Sequence, residues 1–233
     1  MNLTKYLRGA GYDLIEGPVR NHQPLQLWLK RGFDQPELYY QHIDHAFAAP
    51  TALDLREDPA LSVDSTYQLE HSFHVGLTIV GEILASIGAP RIDLSAELGI
   101  GRKVKIGYKD SMTRAVPLGE LTSYLSEADF LHVNPVLLKH LHRNHMYILS
   151  GIVFAERLEV AIEAENEFDT KAIAKLSKLK DPSLEVKLEG KSVVKMEASG
   201  NGLFPIAVKA NRIDFDKGEF KGLHLVTDSR NLF

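Results

Sequence analysis

Apolar and polar positions alternate with a period of two over four stretches of this chain. From Ser65, the odd positions Tyr67, Leu69, Phe73, Val75, Leu77 and Ile79 are apolar, and Thr66, Gln68, Glu70, Ser72, His74 and Thr78 lie between them. From Arg91, the set Ile92, Leu94, Ala96, Leu98, Ile100, Val104, Ile106 and Tyr108 opposes Arg91, Asp93, Ser95, Glu97, Lys103, Lys105 and Lys109. Arg102 breaks that phase beside Gly99 and Gly101, where a bulge is expected. From Tyr147, Ile148, Ile152, Phe154, Leu158, Val160, Ile162 and Ala164 oppose Arg157, Glu159, Glu163 and Glu165. From Leu184 to Ala198, Leu184, Val186, Leu188, Val194 and Met196 oppose Glu185, Lys187, Glu189, Lys191, Lys195 and Glu197. Strand side chains alternate between faces, so each stretch predicts a strand with one apolar and one charged surface. Taken in order, the four make two long amphipathic hairpins.

The remaining pattern predicts shorter elements. Asn2 to Arg8 suits a helix with Leu3, Tyr6 and Leu7 on one side. Asp13 to Ile15 and Leu25 to Lys30 read as strands, and Ile83, Leu84 and Ile87 as a short helix or turn. Between the hairpins, Leu118, Leu121, Tyr124 and Leu125 have helical spacing, and Asn134-Pro135 caps a helix reaching about Arg143. Inside the second hairpin, Asp169 caps a basic helix running to Lys180. A closing strand, Leu203 to Phe215, follows a turn at Ser199 to Gly202. The fold class expected is α+β: a twisted, mostly antiparallel sheet with surrounding helices.

Composition narrows the function. The chain has 233 residues, 44% of them hydrophobic, and a formal net charge of −4. That balance gives no general attraction to nucleic acid. With no cysteine, disulfides, thiol nucleophiles and thiolate metal sites are excluded. Lys5 and Arg8 lead into Gly-Ala-Gly-Tyr-Asp, unlike a signal peptide, and the apolar window from Val75 to Pro90 is too short for a spanning helix. A soluble, cytoplasmic protein is expected. His140, His142 and His145 form the densest imidazole cluster without a nearby carboxylate, so no metal is assigned. His42 with His45, and His71 with His74, read as ordinary surface histidines, and Gly99-Ile100-Gly101 lacks the third glycine of a dinucleotide loop. No cofactor is called for and no enzyme is expected. The pattern alone also suits a soluble β-rich binding or scaffold module.

The order of elements resembles a family. A short N-terminal helix precedes the strand Gln23-Pro24-Leu25-Gln26-Leu27, then come the two hairpins with a helical insert between them. The second hairpin carries Met146-Tyr147-Ile148-Leu149-Ser150-Gly151-Ile152-Val153-Phe154-Ala155-Glu156-Arg157-Leu158-Glu159-Val160, and the closing strand carries Gly202-Leu203-Phe204-Pro205-Ile206-Ala207-Val208-Lys209. This is similar to the pore-forming domain of the gasdermins, in the compact form of their bacterial members. The resemblance implies a pore-forming domain at 1–215 and a short inhibitory segment at 216–233, stored as a soluble, autoinhibited monomer. It implies activation by a protease, caspase-like or other, and a homo-oligomer on anionic lipid of the inner (plasma) membrane. The hairpins then become spanning strands of a shared barrel, which kills the infected cell in antiviral defence. Amphipathic strands cross lipid only by closing a ring, since an open edge leaves backbone groups unpaired. Many bacterial members carry a lipidated cysteine near the N-terminus; this sequence has none.

Beside the resemblance, the residues take these expected roles. The apolar faces above, Tyr67, Ala96, Tyr108 and Ala164 aside, are the lipid-facing surfaces. Lys5, Arg8, Lys171, Lys175, Lys178 and Lys180 are the lipid-contacting basic residues. Asp216, Lys217, Gly218, Glu219, Phe220 and Lys221 form the cleavage region, an exposed turn suited to nicking. Beyond it Phe220, Leu223, Leu225, Val226, Leu232 and Phe233 form an inhibitory tail expected to cover Leu3, Tyr6 and Leu7. The competing expectation for the tail is a terminal strand that completes the sheet.

Overall fold

The computed structural model describes residues 3–15, 22–32, 34–58, 63, 68–86, 103–130, 134–164, 184–189 and 192–226. Helix α1 spans Leu3–Gly9 and buries Leu3 and Leu7. It stops at a residue that only glycine adopts easily: Gly11 has φ +84°, and the Tyr12 and Gly11 amides donate back to the Leu7 and Arg8 carbonyls. Short strands β1 (Asp13–Leu14), β2 (Leu27–Leu29), β3 (Glu37–Tyr40), β4 (Phe47–Ala48), β5 (Arg56–Asp58) and β6 (Gln68–Ser72) follow. Helix α2 (Phe73–Ser86) leads towards β7 (Lys103–Ala115), then α3 (Leu118–Glu127), β8 (Asp129–Phe130) and α4 (Pro135–Leu141). Asn134 caps α4, its side-chain oxygen accepting from the Val136 and Leu137 amides. The chain continues as β9 (Met146–Glu163), β10 (Leu184–Glu189), β11 (Val193–Asp216) and β12 (Glu219–Val226).

Among the described residues, ten strands form one sheet and β4 pairs separately with β8. Its spine is β9, flanked along its length by β11 on one side and by β7 and β2 on the other, all antiparallel. The outer edge of β7 carries β5 and β6, and that of β11 carries β10, β1 and β12. At one end of the sheet, α1 and α2 cover a cluster that includes Leu69, Val104, Ile106, Leu158, Val160, Ile162, Val194 and Met196. At the other end, α3 and α4 close a cluster around Leu27, Phe47, Leu121, Met146, Ile148 and Ile213. A third cluster, with Trp28, Ile152, Phe154 and Val208, fills the opposite face of the middle.

Four expectations are corrected here. Ser65 to Ile79 is not one strand: Gln68–Ser72 is strand, and Phe73–Ser86 is helix. Phe73, Leu77, Val80, Ile83 and Leu84 are buried at helical spacing, while Val75 is 52% exposed. Phe73, Leu77 and the neighbouring Ile79 satisfy either period over so short a run, and contact with the sheet decides for helix. Leu184 to Ala198 is not one strand either. It folds back as the β10–β11 hairpin, with Leu184 opposite Ala198 and Glu189 opposite Val193. Even residues pair with even ones there, so the alternation is the same whether the segment is straight or folded.

Ser199 to Gly202 is not a turn but lies within β11, at a register shift between Ser199 and Phe204. The even apolar set of β9 does not share one face. Leu158, Val160 and Ile162 join the cluster under α1 and α2, Ile152 and Phe154 the third cluster, and Ile148 the cluster under α3 and α4. Glu156 and Arg157 are exposed in succession, and β7 has Asp110 at φ 51° alongside, so a strand irregularity swaps the faces. Parity carries a face only from one bulge to the next.

Candidate functional site

The region that combines the amphipathic stretches is the end of the sheet built from Lys103–Tyr108, Leu158–Glu163 and Val194–Ala198, with β6 and β10 at its edges. Its apolar side is removed from water: Val104, Ile106, Leu158, Ile162 and Val194 are fully buried beneath helical cover. The closest seat is at Gly76 of α2. A Cβ there would stand 2.4 Å from the Val104 Cβ, so the helix backbone lies directly on β7.

The other side is a lattice of cross-strand ion pairs. Lys103 Nζ reaches Glu70 at 3.0 Å and Glu163 at 3.6 Å, while Lys105 Nζ meets Glu163 at 2.7 Å. Lys109 pairs with Glu159, and Arg157 with Asp110. Exposed pairs of this kind contribute little each, roughly 0–1 kcal/mol, but they place opposite charges edge to edge along three strands. The strands are therefore joined by water-compatible chemistry on one side and covered by helices on the other. Among the described residues no helix is long and apolar enough to cross a membrane, which leaves strand-based crossing untouched.

The segment after Phe215 makes a hairpin. Lys217 and Gly218, at φ 50° and 85°, form the two-residue turn from β11 to β12, and Asp216 to Glu219 are all exposed. The turn amide of Gly218 donates to His142 Nε2 at 3.2 Å. Phe215 and Asp216 are the last two residues of β11, at the end that leads into this turn. The described tail, to Val226, is a strand along β11, with Phe220 and Leu223 packed on the cluster beneath α3 rather than over Leu3 and Leu7. Its approach to the N-terminal segment is at Leu225, whose side chain would meet a Gly11 Cβ at 3.3 Å, just beyond α1. Tyr12 anchors that segment: its hydroxyl sits 2.9 Å from where a Gly151 Cβ would be, and Lys209 Nζ lies over its ring. In α1, Lys5 is exposed and Arg8 binds the buried Asp13 carboxylate at 2.9 Å.

Among the described residues no group of three or more His, Cys, Asp or Glu is placed to hold a metal ion. The imidazoles of His140 and His145 lie with ring centroids 5.9 Å apart, and each buries an Nδ1 without a partner. Burial first, then His145, Arg31, Lys139 and Arg143, hold His140 below its ordinary pKa of 6.5. A ring harder to protonate when folded than unfolded carries no penalty above that value, and stability is lost as pH falls below it towards the folded pKa. Thermal midpoints followed from about pH 7.5 to about pH 5.5 are expected to fall more steeply for the native protein than for His140→Gln. Equal slopes would place the acid sensitivity elsewhere.

Ile92, Leu94, Leu98, Ile100, Lys171, Lys175, Lys178, Lys180, Leu232 and Phe233 lie outside the described residues, as does the basic helix expected from Asp169 to Lys180. Three features of the site escaped sequence reading: the Gly76–Val104 seat, the Tyr12–Gly151 anchor and the fold-back of β10. Gly76 had one available signal, a glycine inside an apolar run, which Gly81 shares although nothing lies within 4 Å of it.

Known proteins match this arrangement at three levels. The profile of the Bacterial Gasdermin Family matches residues 15–219. A relative called gasdermin bGSDM, from a Desulfuromonadales bacterium, is 23% identical over 159 residues, which is 66% of this chain and 59% of that protein's length. The structure of a bacterial gasdermin from Bradyrhizobium tropiciagri covers 95% of this chain and 90% of its own at 12% identity, with a TM-score of 0.58. At that identity the likeness is one of fold: a mostly antiparallel, unclosed sheet with a few helices.

Proposed function

The chain belongs to the bacterial gasdermin family, known for forming membrane pores rather than for catalysis, and from that premise we propose that it is a protease-activated pore former. In this reading it is held as a cytoplasmic monomer and permeabilises its own cell's inner membrane as a homo-oligomer, in antiviral cell death. Lys5, Arg8 and the four lysines between Lys171 and Lys180 draw it to anionic lipid.

The observation that carries the reading is the register of β6 on β7. Leu69 faces Ile106 and Glu70 faces Lys105. Continued in the same register, Val75 would face Ile100, Leu77 Leu98, Ile79 Ala96 and Ile83 Ile92, with Thr78 opposite Glu97 on the other face. The hairpin would close on Ile87-Gly88, a two-residue turn with glycine where a positive φ is easiest. Phe73 opposite Arg102, Val80 opposite Ser95, Leu84 opposite Arg91 and the like-charged Glu82 opposite Asp93 break the match. With α2 become strand, the β6–β7 pairing would extend into a lipid-facing hairpin without moving its existing register.

The chain has no cysteine, which makes this register directly testable. Opposite residues in an antiparallel pair have Cα atoms about 4.5–5.5 Å apart, within disulfide range. With Leu77→Cys and Leu98→Cys, protease-cut protein on anionic vesicles is expected to form the internal disulfide under mild oxidation. Leaking vesicles without that bond would reject the helix-to-strand change, and vesicles that never leak would reject the pore.

A further inference from the structure

We propose that the edge of β11 now covered by β12 is a docking surface for a second copy of this chain, which adds its β3 there once β12 has left. The proposal rests on the pore-forming reading and names one contact of its homo-oligomer. At the end of the sheet closed by α3 and α4, five strands lie side by side in the order β12, β11, β9, β2, β3. The two edges there are therefore β12 and β3. Their rows are level: Leu225, Asn211, Ile148, Leu27 and Tyr40 stand opposite one another in turn. His224, Arg212, Tyr147, Trp28 and Leu38 make the next row. Every pair in the series is antiparallel, so β3 and β12 run in the same direction. A copy set beside this one in the same orientation presents its β3 antiparallel to β11, as β12 already is.

The outer side of β3 suits the addition. Among the described residues β3 pairs with β2 alone, and Glu37 and Leu38 on it are exposed. It contains neither proline nor lysine, two residues that commonly keep an edge strand from pairing. In the intact chain the site is filled. The ladder of β12 satisfies Ala210–Asp216, and a tethered strand competes at an effective concentration on the order of millimolar. A second copy at about 1 μM is at a roughly thousandfold disadvantage. β3 also has four residues against the eight of β12, so it does not displace β12 from an uncut chain. Once β12 leaves, the main-chain groups of β11 on that side are restored to hydrogen bonding by an incoming strand. Such a contact joins one edge to the opposite edge, so it repeats in one direction and closes as a ring when the rotation per copy allows. In this arrangement β12 inhibits by standing in for the neighbour's strand.

Cross-linking between two single-cysteine variants reads this contact, since the chain has no cysteine of its own. Leu38 and Arg212 share a row, and Asp214 lies two residues further along the same face of β11. Leu38→Cys protein is mixed with Arg212→Cys or Asp214→Cys protein on anionic vesicles under mild oxidation, each carrying a foreign protease site at the Lys217–Gly218 turn. Cut protein is expected to give the mixed disulfide dimer and uncut protein none, and added peptide 219–233 should suppress it. Separately, Leu38→Lys sets a charge on the edge. Its uncut protein is expected to melt as the native does, and dye release after cutting to slow about tenfold. Leakage without a cross-link at either position, or native release rates from Leu38→Lys, overturns the docking edge. Cross-linking as strong before the cut as after it overturns the blocking by β12. A cross-link on vesicles that stay sealed would strike the pore-forming reading alone.

Discussion

Cutting the chain at the Lys217–Gly218 turn is expected to convert a protein that leaves vesicles sealed into one that empties them. The turn is exposed and its two residues already hold the left-handed conformation, so a foreign protease site replaces it without disturbing either strand's core contacts. Once cut, β12 stays by its ladder to Ala210–Asp216, by the packing of Phe220, Leu223 and Val226, and by His224 against Asp214. A tethered strand enjoys an effective concentration on the order of millimolar. Released into solution at about 1 μM, it loses roughly a thousandfold, about 4 kcal/mol. Dissociation uncovers Ile213 and Phe215 and removes Leu225 from Gly11, next to α1. Leakage should therefore quicken on dilution of the cut protein and be suppressed by added peptide 219–233. Cut protein that remains soluble and harmless at every dilution would make β12 a structural strand and no lock.

Gly76→Ala is expected to loosen the fold although alanine is the better helix former. Within α2 the exchange favours the helix by about 0.8–1 kcal/mol. The new methyl would stand 2.4 Å from the Val104 Cβ and 2.9 and 3.0 Å from its methyls, so helix and strand must separate. Overpacking of that kind costs about 1–3 kcal/mol, which outweighs the propensity gain. Gly81→Ala, in the same helix with nothing within 4 Å, carries the gain alone and is expected to stabilise. Urea midpoints should move in opposite directions for the two variants. If the seat holds α2 over the lipid-facing strands, Gly76→Ala should also shorten the lag before leakage of cut protein. Parallel shifts for both glycines would mean that α2 is not seated on Val104.

What the sequence by itself determined was local: which stretches are two-faced, where helices are capped, and the exposed turn after Asp216. Asn134-Pro135 opened a helix as expected, Leu121, Tyr124 and Leu125 formed its neighbour's buried face, and Lys217-Gly218 formed an exposed turn. Those follow from hydrogen bonds and side chains within a few residues of each other. The tertiary structure alone decided partners. Phe73 to Ile79 fits both periods, and packing on the sheet, tightest where Gly76 meets Val104, selects helix. Leu184 to Ala198 keeps its parity whether straight or folded, so pairing with β11 rather than with residues beyond β9 is invisible in the pattern. The faces of β9 exchange at Glu156 and Arg157, where β11 slips in register, and no periodicity within β9 records what its neighbours do. Alternation fixes the side of a sheet on which a residue lies relative to its near neighbours; register, which depends on the other strand, fixes what that residue touches.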